Sequence, residues 1–361
     1  MIDFVTGKLE AYFKSTFGQS AVLTEVRPMQ GGSASEQKSH GYGSPLEVSF
    51  MLGSRPRRCV LNVVRRGAFG HEHMADRAQQ ILWSHDAYNR LPRHVRAMDV
   101  AGIRRGGDLV SLGDVDELIL LVEFADGDTY AADLLRLSEA DSLNAADLAR
   151  ADALCDYLVQ IHSVRGASPN LYARRIRELI GHGECIMGLC DSYPAGDGFP
   201  GNSLLEEIER TCVSWRWRIK HRAHRLRQVH GDFHPWNILF RTGDDFTVLD
   251  RSRGEWGEAA DDVTCLTINY LFFSLQHHER LAGPFAVLFD HFWRRYLQRT
   301  TDEEMLAVAA PFFAFRALVL ANPMWYPKLA EPVRRKMFTF VRRVLDAETF
   351  APDRVNEYCE A

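Results

Sequence analysis

Between residues 21 and 125 apolar and polar positions alternate at the period of strands. The runs AVLTEVRPM, LEVSFML, RCVLNVV and ELILLVEF each predict one strand of a small sheet. Between the first two lies QGGSASEQKSHGYGSP, whose glycines and serines predict a turn joining antiparallel strands. The stretch HEHMADRAQQILWSHDAYNRL has apolar residues at helical intervals and stops before Pro92, so one helix is expected within this region. Past Gly127 the period changes to that of helices almost to the C-terminus. One interruption, at about 228 to 250, sets NILF and FTVLD on either side of the turn RTGDD and predicts a hairpin. The C-terminal aromatics, such as Trp293, Phe312, Phe313 and Phe315, are read as helix-packing core.

This order predicts an α+β chain with a cleft between two lobes: a small antiparallel sheet lobe with one helix, residues 1–125, and a larger, mainly helical lobe, residues 126–361. A chain of 361 residues is long enough for two cores. Its 46% hydrophobic and 25% charged residues are those of a globular protein. The net charge of -5 gives no reason to expect a nucleic-acid partner. The basic stretch from Arg216 to Arg227, just ahead of the hairpin, reads first as a solvated helix face and otherwise as an anion-binding patch. Seven cysteines are scattered with no Cys-x-x-Cys pair, the pattern of free thiols in a reducing compartment. The first residues, MIDFVTGKLEAYF, have helical spacing rather than a basic start and an apolar run, and no apolar stretch is long enough to span a bilayer. A cytoplasmic protein without a membrane partner is expected.

The segment VHGDFHPWNILF, residues 229–240, sets Asp232 five residues before Asn237, and Asp250 ends the hairpin. That spacing suits phosphoryl transfer, whose loose transition state needs positioning and charge neutralisation more than covalent help. Asp232 suits the carboxylate that orients an acceptor hydroxyl and takes its proton. Asn237 and Asp250 suit the oxygen ligands of a hard cation, since two short strands return Asp250 beside Asn237. His230 and His234 then read as hydrogen-bonding struts of the loop.

HGDFHPWN resembles the His-Gly-Asp-x-His-x-x-Asn signature of the aminoglycoside phosphotransferase and choline kinase-like family. The resemblance implies a bilobal protein-kinase-like fold, ATP or GTP with Mg2+ as donor, and a hydroxyl of a small molecule as acceptor: an aminoglycoside-like antibiotic, a sugar or an amino-alcohol. By position it makes Asp232 the catalytic base and Asn237 and Asp250 the metal-binding residues. Asp262, in GEAADDV, corresponds to a family aspartate that braces the loop, or is simply an acid at a helix N-terminus. LLVEFADG resembles the hinge between lobes, where Glu123 to Ala125 would meet the adenine; a buried strand without a ligand is the alternative.

The nucleotide side departs from the family. Where its third strand carries a phosphate-gripping lysine, CVLNVVRR has Asn62. Arg66 shares its side-chain parity but lies about 13 Å further along a strand, and Lys38 approaches from the glycine-rich turn. The acid that would pair with the lysine is Glu72 or Asp76. Both Gly31-Gly32-Ser33 and Gly41-Tyr42-Gly43 qualify as the phosphate loop, so Gly32, Ser33 and Gly43 join Asn62, Glu123 and Ala125 as candidate nucleotide contacts. Arg251 stands beside Asp250, suited either to phosphate oxygens or to pairing with Glu255 or Glu258. His71-Glu72-His73 lacks further metal ligands in the sequence and reads as surface histidines. For the acceptor, Asn269, Tyr270, His277, His278, Trp325 and Tyr326 are candidates. A chain that binds a nucleotide or metabolite without transferring phosphate, as a pseudokinase does, is the alternative function that Asn62 and Arg251 raise.

Overall fold

The computed structural model describes residues 6–29, 45–67, 70–140, 142–194 and 198–360. Gly32, Ser33 and Gly43, with Lys38, lie outside them. The chain divides into two compact units, Met1–Val122 and Glu123–Ala361.

In the first unit, helix α1 (Thr6–Phe17) precedes the antiparallel strands β1 (Ala21–Pro28), β2 (Leu46–Leu52) and β3 (Arg55–Leu61), ordered β1-β2-β3. Alternation along β2 buries Val48 and Phe50 under Leu9, Tyr12 and Phe13 of α1, and the Phe13 and Phe50 rings meet edge to face at 5.0 Å. Gly53, at φ +60°, supplies the left-handed backbone that the two-residue turn between β2 and β3 requires. Helix α2 (Met74–Arg90) starts where Asp76 accepts the His73 N–H at 2.7 Å, a capping box, so Asp76 serves the helix end. A small hairpin follows, β4 (Ala101–Ile103) with β5 (Leu109–Ser111). Among its described residues this unit therefore holds two helices where one was expected.

The fourth expected strand does not form. Residues 117–124 have no regular structure, and Ile119, Leu121 and Phe124 are 91%, 93% and 89% exposed. A continuous apolar run carries the propensity for a buried strand, but a ladder also needs a neighbour in register. None pairs with it among the described residues.

The second unit opens with β6 (Asp128–Thr129) and continues through α3 (Tyr130–Ser138), α4 (Ala145–His162), α5 (Pro169–Gly181), α6 (Ile186–Ser192) and α7 (Asn202–Ile219). Strand β7 (Leu226–Gln228) leads into the expected hairpin, β8 (Ile238–Phe240) with β9 (Phe246–Val248); β6 pairs with β8, and β10 (Trp256–Glu258) with β7. Helices α8 (Ala259–Leu275), α9 (Gly283–Thr300), α10 (Ala310–Ala321) and α11 (Glu331–Asp346) complete the unit. In α8 only Asp261 among residues 259–275 escapes full burial, as befits a helix that is apolar all round. Trp293, Phe312, Phe313 and Phe315 are buried in this core, as expected.

The basic stretch ahead of β7 is not uniformly a solvated face. Arg225 is buried, with Nε and Nη2 on the two oxygens of Glu258 at 2.9 and 2.7 Å and Nη1 on Asp302 at 2.6 Å; the Tyr172 hydroxyl donates to Glu258 at 2.8 Å. Its paired fork removes Arg225 and Glu258 from any role toward a ligand.

Candidate active site

The loop between β7 and β8 turns on Gly231, whose φ of +88° glycine adopts at little cost, and where a Cβ would stand 3.3 Å from that of Arg253. The turn directs two consecutive amides at one buried carboxylate. His230 N–H donates to Oδ2 of Asp262 and Gly231 N–H to Oδ1, both at 2.7 Å. His162 Nε2 meets the same Oδ2 at 3.0 Å, and its Nδ1 meets the Tyr296 hydroxyl at 2.7 Å. Burial alone would raise the Asp262 carboxyl, but His162 and the loop amide outweigh it and hold the group below the usual carboxylate range. Asp262 is thus the brace of the loop, and more than a helix N-terminal acid.

The histidines of the motif work as struts. His230 Nδ1 accepts the Asp232 N–H at 3.3 Å, while His234 caps the short helical turn 235–237 by accepting the Trp236 N–H at 3.2 Å. Asn237 Nδ2 donates to the Asp232 carbonyl at 3.1 Å, which turns its Oδ1 away as a spare acceptor. The hairpin then returns the chain: Leu249 N–H donates to the Asn237 carbonyl at 2.8 Å, and Asp250 follows in the left-handed region at φ +54°, a conformation aspartate tolerates better than most residues. One amide oxygen and one carboxylate suit a hard cation such as magnesium, which keeps waters and takes its other ligands from phosphates. Among the described residues no cluster of three or more His, Cys, Asp or Glu is arranged to hold a metal, at His71 to His73 or elsewhere.

Asp232 and Asp250 line one cavity of about 590 Å3 with Trp236, Asn269, Trp325 and Tyr326. Asp232 is not alone in it. Arg316, on α10 and only 5% exposed, donates Nη1 to Oδ1 of Asp232 at 2.5 Å, Nη2 to the Gly231 carbonyl at 2.8 Å, and Nε and Nη2 to Asp261 at 3.1 and 2.6 Å. Burial would raise the Asp232 carboxyl, but Arg316, then His234 and Arg253, reverse the effect and place it below its ordinary range. His234 is pushed down by burial, so its ring is neutral near pH 7. Together the loop presents an ionised carboxylate at a partly apolar cavity, with the Asp250 carboxylate in the same lining.

Residues 48–303 match the phosphotransferase enzyme family (APH). The chain belongs to this family. Its α+β, protein-kinase-like fold class goes with that membership. Solved structures similar to it include an ethanolamine kinase of Plasmodium vivax, 13% identical, covering 93% of this chain and 80% of that one at a TM-score of 0.36. Others are an amicoumacin kinase in complex with AMP-PNP and Ca2+, 13% identical over 91% and 92% at 0.42, and a choline kinase of Cryptosporidium parvum Iowa II, 11% identical over 98% and 92% at 0.34. No curated protein matches the sequence.

Of the family positions expected in this chain, Asp232, Asn237 and Asp250 come together in the second unit, as just described. Asn62 is exposed, one residue beyond β3 in the first unit, and Glu123 and Ala125 lie in the irregular segment, Glu123 exposed and Ala125 half-buried. Arg251 takes neither of its expected partners' side chains: Nε and Nη2 bond the Val229 carbonyl at 2.9 and 2.7 Å, and Nη2 also reaches the Glu255 carbonyl at 3.2 Å. It ties two backbone segments at the end of the β7–β10 pair, where Val229 N–H still donates to the Glu255 carbonyl at 3.0 Å. Among the acceptor candidates, Asn269, Trp325 and Tyr326 line the cavity; Tyr270 is buried against Tyr130, and His277 and His278 are exposed past the end of α8. Arg316 and Asp261 were not among the expected family positions. The one signal for Arg316 is its charge in the middle of the apolar run PFFAFRALVLA.

Proposed function

We propose that this member of the phosphotransferase family transfers the γ-phosphoryl group of ATP, or GTP, to a hydroxyl of a small molecule, in the presence of magnesium. One observation carries the reading: Asp232 is ionised at the wall of a cavity that Asp250 also lines, with Asn237 bonded to the Asp232 carbonyl and joined to Asp250 by one short hairpin. Asp232 Oδ2 accepts the acceptor's O–H, aligning its oxygen. As that oxygen bonds to the γ-phosphorus, the bond from phosphorus to the β,γ-bridging oxygen breaks, the nucleoside diphosphate leaves with the electron pair, and the hydroxyl proton passes to Asp232. Asn237 Oδ1 and the Asp250 carboxylate would hold magnesium, which neutralises charge on the phosphate oxygens.

Trp236, Trp325 and Tyr326 give the cavity an aromatic wall, while Glu184, Asp232 and Asp250 face Arg253 and Arg316 around it. An acceptor with an apolar face as well as hydroxyls, such as an aminated sugar, an antibiotic or an amino-alcohol, suits such a lining. Residues 1–125 serve as the nucleotide-binding lobe in this reading, with Gly32, Ser33, Gly43, Asn62, Glu123 and Ala125 as contacts, and residues 126–361 supply catalysis and the acceptor site. The protein acts in the cytoplasm, where its nucleotide donor is available.

The test is transfer from labelled ATP, with magnesium, to a panel of aminoglycosides, sugars and amino-alcohols. Asp232→Ala should lower transfer by about 10² to 10⁴; unchanged turnover removes Asp232 from the chemistry. Asn62 in place of the gripping lysine favours a second reading, in which the chain binds nucleotide as a pseudokinase does. Magnesium-dependent thermal stabilisation by ATP, with no transfer to any acceptor, would establish that reading instead.

A further inference from the structure

Phosphoryl transfer as described employs Asp232 but assigns nothing to the cation buried against it. We propose that Arg316 is a positioning residue for this reaction: by holding Oδ1 of Asp232 it turns Oδ2 to the cavity and fixes the oxygen that meets the acceptor hydroxyl. This rests on the phosphotransfer reading of Asp232.

A carboxylate on a short side chain rotates about a broad, roughly two-fold torsion. Held only by its own backbone, Asp232 would present either oxygen. Arg316 breaks that equivalence. Its Nη1 takes Oδ1, while His234 Nε2 stays 3.7 Å from Oδ2, beyond hydrogen-bond range. Arg316 itself has little freedom, because Nε and Nη2 are bound to Asp261 and Nη2 also to the Gly231 carbonyl. The planar fork therefore references the Asp232 oxygen to two other points of the site: the first turn of α8 and the glycine of the loop. A lysine has the charge but cannot reproduce three fixed directions.

A second cation shows why a clamp matters. Arg253 lines the same cavity, with Nη1 on the sulfur of Cys185 at 3.3 Å and its buried Nε without a partner. With Arg316 removed, Arg253 is the cation left to draw the Asp232 carboxylate out of line. Misplacement of a reacting group by about 1 Å costs on the order of 10²-fold in rate, and binding of the nucleotide need not change.

The experiment measures ADP formation from magnesium-ATP, by transfer to water and to the acceptor panel, in the wild type, Arg316→Ala, Arg316→Lys, Asp232→Asn and the Asp232→Asn/Arg316→Ala double variant. Arg316→Ala should lower kcat by about 10- to 100-fold with KM for magnesium-ATP within about twofold, and low-millimolar guanidinium should restore part of the loss. On the Asp232→Asn background the same substitution should cost nothing further, the non-additivity expected of residues that act through one another. If Arg316→Ala unfolds the chain, Arg316→Lys carries the test, with wild-type thermal stability and a reduced kcat expected. Wild-type kcat in a folded Arg316 variant, or an equal loss on both backgrounds, overturns the positioning role and leaves phosphotransfer standing. Absence of ADP formation by the wild type, or an Asp232→Asn variant as active as wild type, overturns the phosphotransfer reading and this proposal with it.

Discussion

Two segments differ in how they are held: the loop and hairpin of residues 229–262, and the irregular stretch 116–126. In the first, side chains close the backbone at its turns. Asp262 takes two consecutive amides, Arg251 two carbonyls, His234 the Trp236 amide, Asn237 the Asp232 carbonyl, and Arg316 the Gly231 carbonyl. In the second, Ile119, Leu121 and Phe124 are about nine-tenths exposed, and no strand among the described residues accepts the run. Both were expected to serve one reaction. The difference teaches that a polar motif carries its own scaffold, since its hydrogen bonds specify partners and directions, whereas an apolar run specifies burial without saying against what.

The largest way to break this contrast is at Asp250. If the ordered loop holds the metal, Asp250→Ala should lower transfer by on the order of 10³ and abolish the magnesium-dependent part of nucleotide stabilisation in thermal melts. Retention of both would move the metal away from the hairpin.

Asp262 comes next, read in stability. Removing a carboxylate that satisfies two buried amides and a buried histidine should cost about 3 to 5 kcal/mol in Asp262→Ala, measured as a lower denaturant midpoint at unchanged m. The pH dependence has a defined sign. Burial opposes ionisation of Asp262, but His162 and the loop amide depress its folded value. Its contribution is therefore present above the unfolded aspartate value, near pH 4, and lost as pH falls through the depressed folded one. Wild-type stability should fall on acidification in that window, and Asp262→Ala should lack this component. Parallel pH curves would mean that the brace is not ionic.

On the other side of the contrast, Asn62 is exposed at the end of β3, so a lysine there loses no packing. If Asn62 stands where the family lysine grips the phosphates, Asn62→Lys should tighten ATP binding by about tenfold, the lower end of a charge-assisted bond of ~1.5 to 3 kcal/mol. Calorimetric titration with magnesium-ATP checks it. Unchanged affinity would mean that the phosphates are gripped from elsewhere.

What the sequence made legible follows the same division. The spacing of Asp232, Asn237 and Asp250 needs only a tight loop and a two-strand return, both local, and the hairpin β8–β9 forms where NILF and FTVLD flank their turn. The brace from Asp262 was legible as one of two readings, because its partner amides sit on a motif already recognised. Arg316 was not, being 84 residues from Asp232 and brought there by the packing of α10 on α8. Arg225 misled because an arginine in a basic stretch looks solvated, yet buried carboxylates had already used its donors, and Arg251 bonds backbone carbonyls rather than the side chain of Glu255 or Glu258. The run 117–124 misled in the opposite way, its pattern strong and its partner non-local.

That run gives the smallest expected effect and the sharpest comparison. Leu120 is 89% exposed, so Leu120→Asp should change stability by no more than about 0.5 kcal/mol. Ile238, fully buried in β8, is the internal reference, and Ile238→Ala should cost about 2 to 4 kcal/mol. The two compact units need not unfold together, so each substitution belongs to the transition of its own unit, resolved by following two probes through the denaturant series. Exposed leucines, isoleucine and phenylalanine in sequence also favour self-association, and Leu120→Asp should reduce it in sedimentation. A cost of several kcal/mol at Leu120 would show that the run is covered in solution, because a carboxylate forced into an apolar site has no partner there. Then 117–124 would be the buried strand that its pattern describes, and the two segments would differ only in how far away their partners lie.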